Sequence, residues 1–215
     1  MFKKITGLIL CAFLLFSLAS CTNKENNTQN STVTTTSKKQ TGDSKTLEFF
    51  KTHFDSQEYT MTLKTTDEET GSDSVVTIGI KGDIYYTDDN SAGNHSTVFY
   101  KDGQTTTISH DNKTYYINTT DDEMSQSNEK FSSSDFAGKE FSTGTETIDG
   151  KKYYCEEFND EYGTARYCFD GDDLKYMVNV NSETGKNTYI EITDIKPSFD
   201  ESLLTIPEGY EALDY

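Results

Sequence analysis

The sequence predicts a mainly β fold of the α+β class, in which an antiparallel meander follows an N-terminal helix. The first observation is a period of two in apolar residues over residues 59–64, which recurs over residues 76–81 and 174–180. Such alternation with β-branched and aromatic residues indicates half-buried strands. The second is the series of Asp-Gly, Asn-rich and Thr-Gly turn signals that separate these segments. The third is that helical spacing stands out in one stretch, residues 44–53.

That stretch carries a helix-start signal. Ser44 is a good N-cap, and Leu47, Phe50 and Phe54 follow at spacings of three and four. We therefore expect a helix that begins at Ser44 and ends near His53.

The strands that follow are expected to be joined by tight hairpins, because Asp-Gly and Asn-rich pairs tolerate the positive φ angles of such turns. The predicted turns are at residues 102–103, 111–112, 149–150, 161–163, 171–172 and 184–185. Residues 119–138 break this rhythm and are expected to form a loop with a short helix. The tail is expected to hold one helical turn before Pro207.

The first 20 residues resemble a secretory signal peptide. Lys3 and Lys4 precede an apolar run over residues 5–16, and small residues follow it. The run is too short to span a bilayer, which takes roughly 20 apolar residues. We therefore expect residues 1–20 to be removed.

Residues 18–21, Leu-Ala-Ser-Cys, resemble the lipobox of bacterial lipoproteins. The resemblance implies that Cys21 receives a diacylglycerol, acquires palmitate-type acyl chains and becomes the first mature residue. The chain would then consist of a lipidated, disordered tether over residues 21–45 and one domain over residues 46–215, on the outer face of the bacterial cell membrane. The alternative is a soluble secreted protein with an incidental cysteine.

The strongly acidic composition excludes one class of partner. Removal of the signal takes away Lys3 and Lys4 and no acid, which changes the formal net charge from −18 to −20. Nucleic acid is therefore excluded, because its phosphates demand clusters of Lys and Arg. We expect contact with the membrane through the N-terminal lipid, and either an apolar ligand or a surface protein as partner.

Two cysteines remain for a disulfide, because Cys11 leaves with the signal and Cys21 is acylated. Cys155 and Cys168 lie at equal distances from a turn over residues 160–163, so we expect them to pair across a hairpin. The alternative is two free thiols. The same register places Glu157 opposite Arg166, Tyr154 opposite Phe169 and Glu156 opposite Tyr167.

No catalytic or metal-binding motif stands out. His53, His95 and His110 are expected in a helix, a polar loop and a hairpin, and no Gly-x-Ser-x-Gly motif accompanies them. No Cys/His cluster has zinc spacing. The acidic segments 88–90 and 170–173 could hold calcium, but lack the spacing of a calcium loop and are interpreted as solvated turns. We expect no enzymatic activity, no cofactor and no metal.

Paired aromatic residues recur at residues 49–50, 85–86, 115–116 and 153–154. They fit core packing, or alternatively an apolar concavity on an open curved sheet. Alternation assigns ten residues to the concave, candidate ligand-binding face: Met61, Leu63, Val76, Ile78, Ile80, Leu174, Tyr176, Val178, Ile190 and Ile192.

The lipobox, the polar tether, the leading helix and the segments 153–158, 167–176 and 206–211 are similar to Gram-positive lipoproteins of the LolA/LolB-like class. The resemblance implies a curved antiparallel meander, an incomplete barrel with an apolar concave face and a few short helices. The better-known members of this class carry acyl chains or lipoproteins. No family site residue is transferred.

The sequence therefore favours a lipid-anchored cell-surface binding protein that holds an apolar or amphipathic ligand in a concave sheet. The alternative is a structural or sensory surface module that acts through protein partners and has no ligand cavity. A carrier requires a cavity of several hundred Å³, whereas a module requires a filled core.

Overall fold

The structure is a computed structural model that describes residues 34–67, 70–91, 93–119, 130–160, 163–181 and 186–213. Most of these residues lie in strands, which confirms the mainly β prediction. In chain order the elements are β1 (Thr34–Thr41), α1 (Lys45–His53), β2 (Glu58–Thr66), β3 (Asp73–Lys81), β4 (Ile84–Ser91), β5 (Asn94–Lys101), β6 (Gln104–Ser109), β7 (Thr114–Thr119), β8 (Glu140–Ile148), β9 (Lys151–Asp160), β10 (Gly163–Asp170), β11 (Asp173–Val180), β12 (Asn187–Lys196) and β13 (Glu211–Ala212).

The chain forms two compact units. Of the described residues, those within 34–48 and 133–188 belong to the first unit, and those within 49–132 and 189–213 belong to the second. In the first unit the strand order is β1-β8-β9-β10-β11, and in the second it is β12-β2-β3-β4-β5-β6-β7-β13. Most strands that follow each other in the chain are therefore also adjacent in the sheet, as in a meander. The single domain expected over residues 46–215 stays a prediction.

Strand β1 corrects part of the predicted tether. Its backbone pairs antiparallel with β8, from Thr34 opposite Thr145 to Thr41 opposite Glu140. The segment is rich in threonine, whose branched side chain favours extended backbone. Residues 34–41 are therefore a strand and not part of a disordered tether.

Helix α1 coincides with the helix expected from Ser44 to His53. The backbone N–H of Leu47 donates to the Ser44 hydroxyl at 2.9 Å, which is the hydrogen bond of an N-cap. The helix stops before Gln57, whose left-handed φ of 54° cannot continue it.

Two hairpins turn at the Asp-Gly pairs that the sequence singles out. Asp102 and Gly103 have φ angles of 52° and 78°, and Asp149 and Gly150 have 49° and 78°. Positive φ at both central positions is the requirement of a type I′ turn, whose twist matches that of the flanking strands. Both predicted hairpins are confirmed. The turns expected at residues 161–163 and 184–185 include residues outside the described part.

The first unit has an aromatic core. The ring of Phe136 lies 5.1 Å from Phe158 and 5.0 Å from Tyr167, both edge-on. Phe141 stacks on Phe158 at 5.6 Å. Phe136 directly follows a 3-10 helix over Ser133–Asp135. This helix lies where a short helix is expected, within residues 119–138, and it positions the Phe136 ring in the core.

Two groups of apolar side chains can be described in the second unit. In one, Phe54 lies between Phe50 at 5.0 Å and Tyr59 at 4.8 Å, with Phe131 at 5.3 Å. The other consists of the buried residues Tyr86, Phe99, Ile108 and Phe199. The tail packs on this second cluster after a 3-10 helix over Glu201–Leu203, which is the helical turn expected before Pro207.

Candidate functional site

The predicted lipidation residue lies outside the described residues. Cys21 and the signal peptide over residues 1–20 belong to this part of the chain, so their roles stay predictions. Among the residues that the structure does describe, no helix combines the length and the apolar character needed to cross a membrane.

The predicted disulfide is present. Cys155 on β9 and Cys168 on β10 are bonded, with their Cα atoms 4.1 Å apart. They lie directly opposite each other, at a spacing typical of antiparallel pairs that are not hydrogen-bonded to one another, where side chains approach most closely. The register expected around them is also confirmed: Glu157 faces Arg166, Tyr154 faces Phe169 and Glu156 faces Tyr167.

Beside the disulfide, one guanidinium neutralises two carboxylates. Arg166 donates from Nε to Glu157 at 2.8 Å and from an outer nitrogen to Glu146 at 3.4 Å. The side chain of Glu146 is only 1 % exposed, so Arg166 supplies a positive charge to a carboxylate that water does not reach. The Glu146 carboxylate also lies near both cysteine sulfurs, but sulfurs bonded to each other offer no thiolate to a metal.

A shallow open depression lies over this network. It has room for about one water molecule. Its lining is Thr143, Gly144, Thr145, Glu146, Cys155, Glu157 and Arg166. The charges in its wall are already paired with each other, so the depression has little to offer an organic ligand.

Seven residues of the candidate ligand-binding face belong to the second unit. Register places Leu63 of β2 opposite both Val76 of β3 and Ile192 of β12, so these strands share one apolar face. Six of the seven are buried, with 1–9 % of their surface exposed: Met61, Leu63, Ile78, Ile80, Ile190 and Ile192. Val76 is half-buried.

The other three residues of that face lie on β11 in the first unit. Leu174 and Val178 are buried, and Tyr176 is half-buried. A β-bulge shifts the register, so that Tyr176 faces Cys168 while Leu174 faces the adjacent residue, Phe169. The strict alternation assumed for this strand therefore fails, because a bulge inserts one extra residue. The ligand-binding role of all ten residues stays a prediction.

The acidic turn over residues 170–173 is neutralised by lysines. An ammonium group lies beside each of its three carboxylates. The ion pairs are Lys45 with Asp172, Lys151 with Asp170 and Lys175 with Asp173. This arrangement fits the interpretation of the segment as a solvated turn.

A side-chain cluster that the sequence analysis missed lies in the second unit. His95 Nε2 is 3.1 Å from Asp88 Oδ1, and His110 Nε2 is 3.9 Å from the same oxygen. The two imidazole rings stack with their centroids 4.0 Å apart. The expectation that His95 lies in a polar loop is wrong: it lies on β5, because β4 and β5 follow each other so closely that Ser91 pairs with Asn94.

The sequence contained a signal for this cluster. His95 lies seven residues before Asp102, and His110 lies seven residues after Gly103. Counting outward from this type I′ turn therefore places the two histidines opposite each other. In the structure the His110 backbone N–H donates to the His95 carbonyl at 3.0 Å, as this register requires.

Two hydroxyl groups complete the cluster. Thr97 Oγ1 is 2.6 Å from Asp88 Oδ1 and 2.7 Å from His110 Nε2, and the Tyr210 hydroxyl is 2.9 Å from His110 Nδ1. A carboxylate can only accept, so the single Thr97 hydroxyl proton goes to Asp88. We therefore assign His110 Nε2 as the donor to Thr97, and Nδ1 as the acceptor from Tyr210.

Burial lowers the pKa of His110 from its usual value, and the neighbouring His95 lowers it further. Asp88 and Asp111 act in the opposite direction, but do not prevail. His110 is consequently uncharged at neutral pH, with a lone pair on one ring nitrogen.

The cluster is not a nucleophilic triad. Thr97 is only 4 % exposed, so its hydroxyl cannot meet a substrate. The carboxylate of Asp88 binds that hydroxyl, whereas a triad acid orients the second nitrogen of the base, which here contacts Tyr210. Two imidazoles and a carboxylate are instead a donor set typical of transition-metal sites.

Comparison with known proteins identifies no family for this chain. No family model matches the sequence. No curated protein matches it either.

Two solved structures show limited likeness. One is an uncharacterized conserved protein from Thermus thermophilus, with a TM-score of 0.45, 8 % identity, and coverage of 74 % of this chain and 90 % of that chain. The other is PNGF-II, with a TM-score of 0.29, 11 % identity, and coverage of 73 % of this chain but only 30 % of that chain. Likeness at this level carries no argument about function.

Proposed function

We propose that this chain is a lipid-anchored binding protein on the outer face of the bacterial cell membrane. The observation that carries the proposal is the Leu-Ala-Ser-Cys tetrapeptide at residues 18–21, which follows a basic start and an apolar run. The Cys155–Cys168 disulfide supports it, because disulfides persist in the oxidising environment outside the cytosol. Catalysis is no part of the proposed function.

The anchor is tested by substitution at Cys21. Cys21→Ser should remove incorporation of a clickable palmitate analogue and release the protein from the membrane fraction, because the acyl chains provide the attachment. Cys11→Ser is the matched control, since this cysteine lies in the signal and should leave labelling and retention unchanged. The proposal would be refuted if labelling survives Cys21→Ser and the intact mass of the wild-type protein shows no lipid on residue 21.

The finer architecture belongs to the same proposal. We envisage an α+β fold in which the strands form a curved, incomplete barrel with an N-terminal helix and a few short helices, as the LolA/LolB resemblance implies. Two modes of binding fit such a fold: an apolar ligand on the concave face, or a protein partner at the surface of a filled sheet.

Burial favours the second mode. Met61, Ile80 and Val178 have 0–1 % of their surface exposed, although each belongs to the candidate ligand-binding face. Side chains that line a ligand-sized cavity keep surface accessible to solvent, whereas side chains in a filled core do not. The module that acts through protein partners is therefore our preferred form of the proposal.

Native mass spectrometry of the mature protein distinguishes the two modes. The preferred mode predicts a single mass that corresponds to the chain with its covalent lipid. An additional, non-covalent lipid would favour the ligand-binding mode. Val76→Glu would then decide whether the lipid occupies the predicted face, because this half-buried position accepts a charge more readily than its buried neighbours. Thr77→Glu, on the opposite face of β3, is the matched control.

A further inference from the structure

We propose that Asp88, His95 and His110 bind one Zn²⁺ ion, with a water molecule as the fourth ligand. The site lies within the second unit and does not depend on the proposed membrane anchor. The argument rests on the spacing of the ligand atoms, the rigidity of the strands that carry them, the hydrogen bonds of His110 and the access from solvent.

The ligand atoms have nearly the spacing that zinc requires. Zinc binds nitrogen and oxygen at about 2.0–2.1 Å, so neighbouring ligands of a tetrahedral site lie about 3.3 Å apart. Asp88 Oδ1 lies 3.1 Å from His95 Nε2 and 3.9 Å from His110 Nε2, and one atom from each residue lies within 4.8 Å of the other two. The two imidazole planes now stack at an angle of 25°, so the rings must also turn about their side-chain bonds until both lone pairs point at the ion.

The backbone beneath the site is fixed by strand pairing. Asp88 of β4 lies opposite Thr97 of β5, and Thr97 in turn lies opposite Ile108 of β6. His110 remains tied to this ladder by its backbone bond to His95. A site on paired strands loses little conformational entropy when the metal binds.

The hydrogen bonds of His110 suit a ligand. Metal binding requires a neutral imidazole with a free lone pair on the ligating nitrogen. When Nε2 turns to the metal, its proton is exchanged for one on Nδ1, which then donates to the Tyr210 hydroxyl. Metal-bound histidines typically donate from their second nitrogen in this way, and Thr97 meanwhile holds the Asp88 carboxylate in place.

Solvent can reach the site, and the charge of the chain favours a cation there. The side chains of Asp88 and His95 are 27 % and 36 % exposed. Asp111 adds a carboxylate close by, where it accepts the backbone N–H of His95 at 2.8 Å. The two imidazoles favour zinc over calcium or magnesium, which prefer oxygen ligands.

The experiment titrates the full chain with zinc chloride in a calorimeter, after treatment with a chelator and alkylation of free thiols. We expect saturable binding of one ion per chain. In an imidazole ¹⁵N spectrum, the resonances of His95 and His110 should shift while that of His53 stays. His95→Gln and His110→Gln should abolish this binding, and His53→Gln is the matched control that should retain it.

Tyr210→Phe tests the site without removing a ligand. Loss of the hydroxyl that orients His110 should weaken zinc binding about 10–100-fold. Circular dichroism and thermal unfolding without metal report whether each variant is folded. The proposal is overturned if the folded wild-type chain shows no saturable site, if His53→Gln reduces binding as much as His95→Gln does, or if Tyr210→Phe leaves the affinity unchanged.

Discussion

The carboxylate of Glu156 accepts two hydrogen bonds from Thr46, one from the backbone N–H at 2.8 Å and one from the hydroxyl at 2.7 Å. Its other oxygen accepts the backbone N–H of Lys45 at 2.9 Å. These amides begin α1 and have no partner within the helix. A strand residue therefore caps a helix, and its negative charge faces the positive end of the helix dipole.

We predict that Glu156→Gln lowers the free energy of unfolding by about 1.5–3 kcal/mol, the usual contribution of hydrogen bonds to a charged group. The amide keeps the shape, but it loses the charge and can turn its NH₂ group toward backbone donors. Urea unfolding followed by circular dichroism measures the change. Glu140→Gln is the control, because its ion pair with Lys39 is exposed and should contribute less than about 1 kcal/mol. Equal losses in the two variants would contradict the capping role.

A second prediction concerns Arg166, which neutralises Glu146 and Glu157 beside the disulfide. Arg166→Met should cost about 3–5 kcal/mol, because it removes the guanidinium that is paired with the buried Glu146 carboxylate. Adding Glu146→Gln should recover part of this loss in a double-mutant cycle. Lys39→Met, which removes an exposed partner, serves as the control in the same unfolding assay. If Glu146→Gln brings no recovery, the buried charge is not the cause.

The pairing of neighbouring strands could be predicted from the sequence, because the turn between two strands fixes their register. The Cys155–Cys168 register follows from counting outward from a turn, and the same counting from Asp102 and Gly103 pairs His95 with His110. What limited the prediction of the His–Asp cluster was therefore not missing information, but the assignment of His95 to a loop.

Contacts between segments that are far apart in the sequence could not be predicted. Glu156 and Thr46 are 110 positions apart, and no local pattern distinguishes this buried carboxylate from the solvated ones around it. Tyr210 reaches His110 across 100 positions for the same reason. The bulge next to Phe169 was also hidden, because one extra residue in a ladder leaves the apolar alternation of the sequence almost unchanged.

A third prediction concerns Glu201, whose carboxylate forms ion pairs with two lysines. Oε1 lies 2.8 Å from Lys81 Nζ, and Oε2 lies 3.4 Å from Lys101 Nζ. The hydrogen bond and charge of Lys81 hold the pKa of Glu201 below its usual value, and Lys101 adds a smaller effect. Lys81→Met should therefore raise the pKa of Glu201 more than Lys101→Met does. A pH titration of the side-chain carboxyl resonance by NMR measures both shifts. A larger shift in Lys101→Met would contradict this ranking.

The sign of the pH effect follows from this lowered pKa. The folded state binds the proton more weakly than the unfolded state does, so the stabilisation by Glu201 is present above the usual pKa of a glutamate. It is lost as the pH falls through the folded value. Glu201→Gln should consequently reduce the acid-side dependence of unfolding on pH.

The last prediction concerns Gly79 on β3, which lies under the ring of Phe199. A Cβ atom at Gly79 would lie 2.4 Å from Phe199 Cε2, and Phe199 itself is only 6 % exposed. Gly79→Ala should therefore cost about 1–3 kcal/mol through overpacking. Phe199→Ala should cost about 3–5 kcal/mol through the loss of a buried ring.

The double variant separates this contact from two independent losses. With alanine at both positions the new methyl group meets no ring, so the combined cost should fall below the sum of the single costs by about 0.5–3 kcal/mol. Urea unfolding of the four proteins measures this coupling. Phe199→Leu keeps a smaller apolar side chain over position 79. It should therefore relieve only part of the clash with the methyl group that Gly79→Ala introduces. Strict additivity would mean that the ring of Phe199 does not lie over Gly79, and that a glycine is not required at this point of β3.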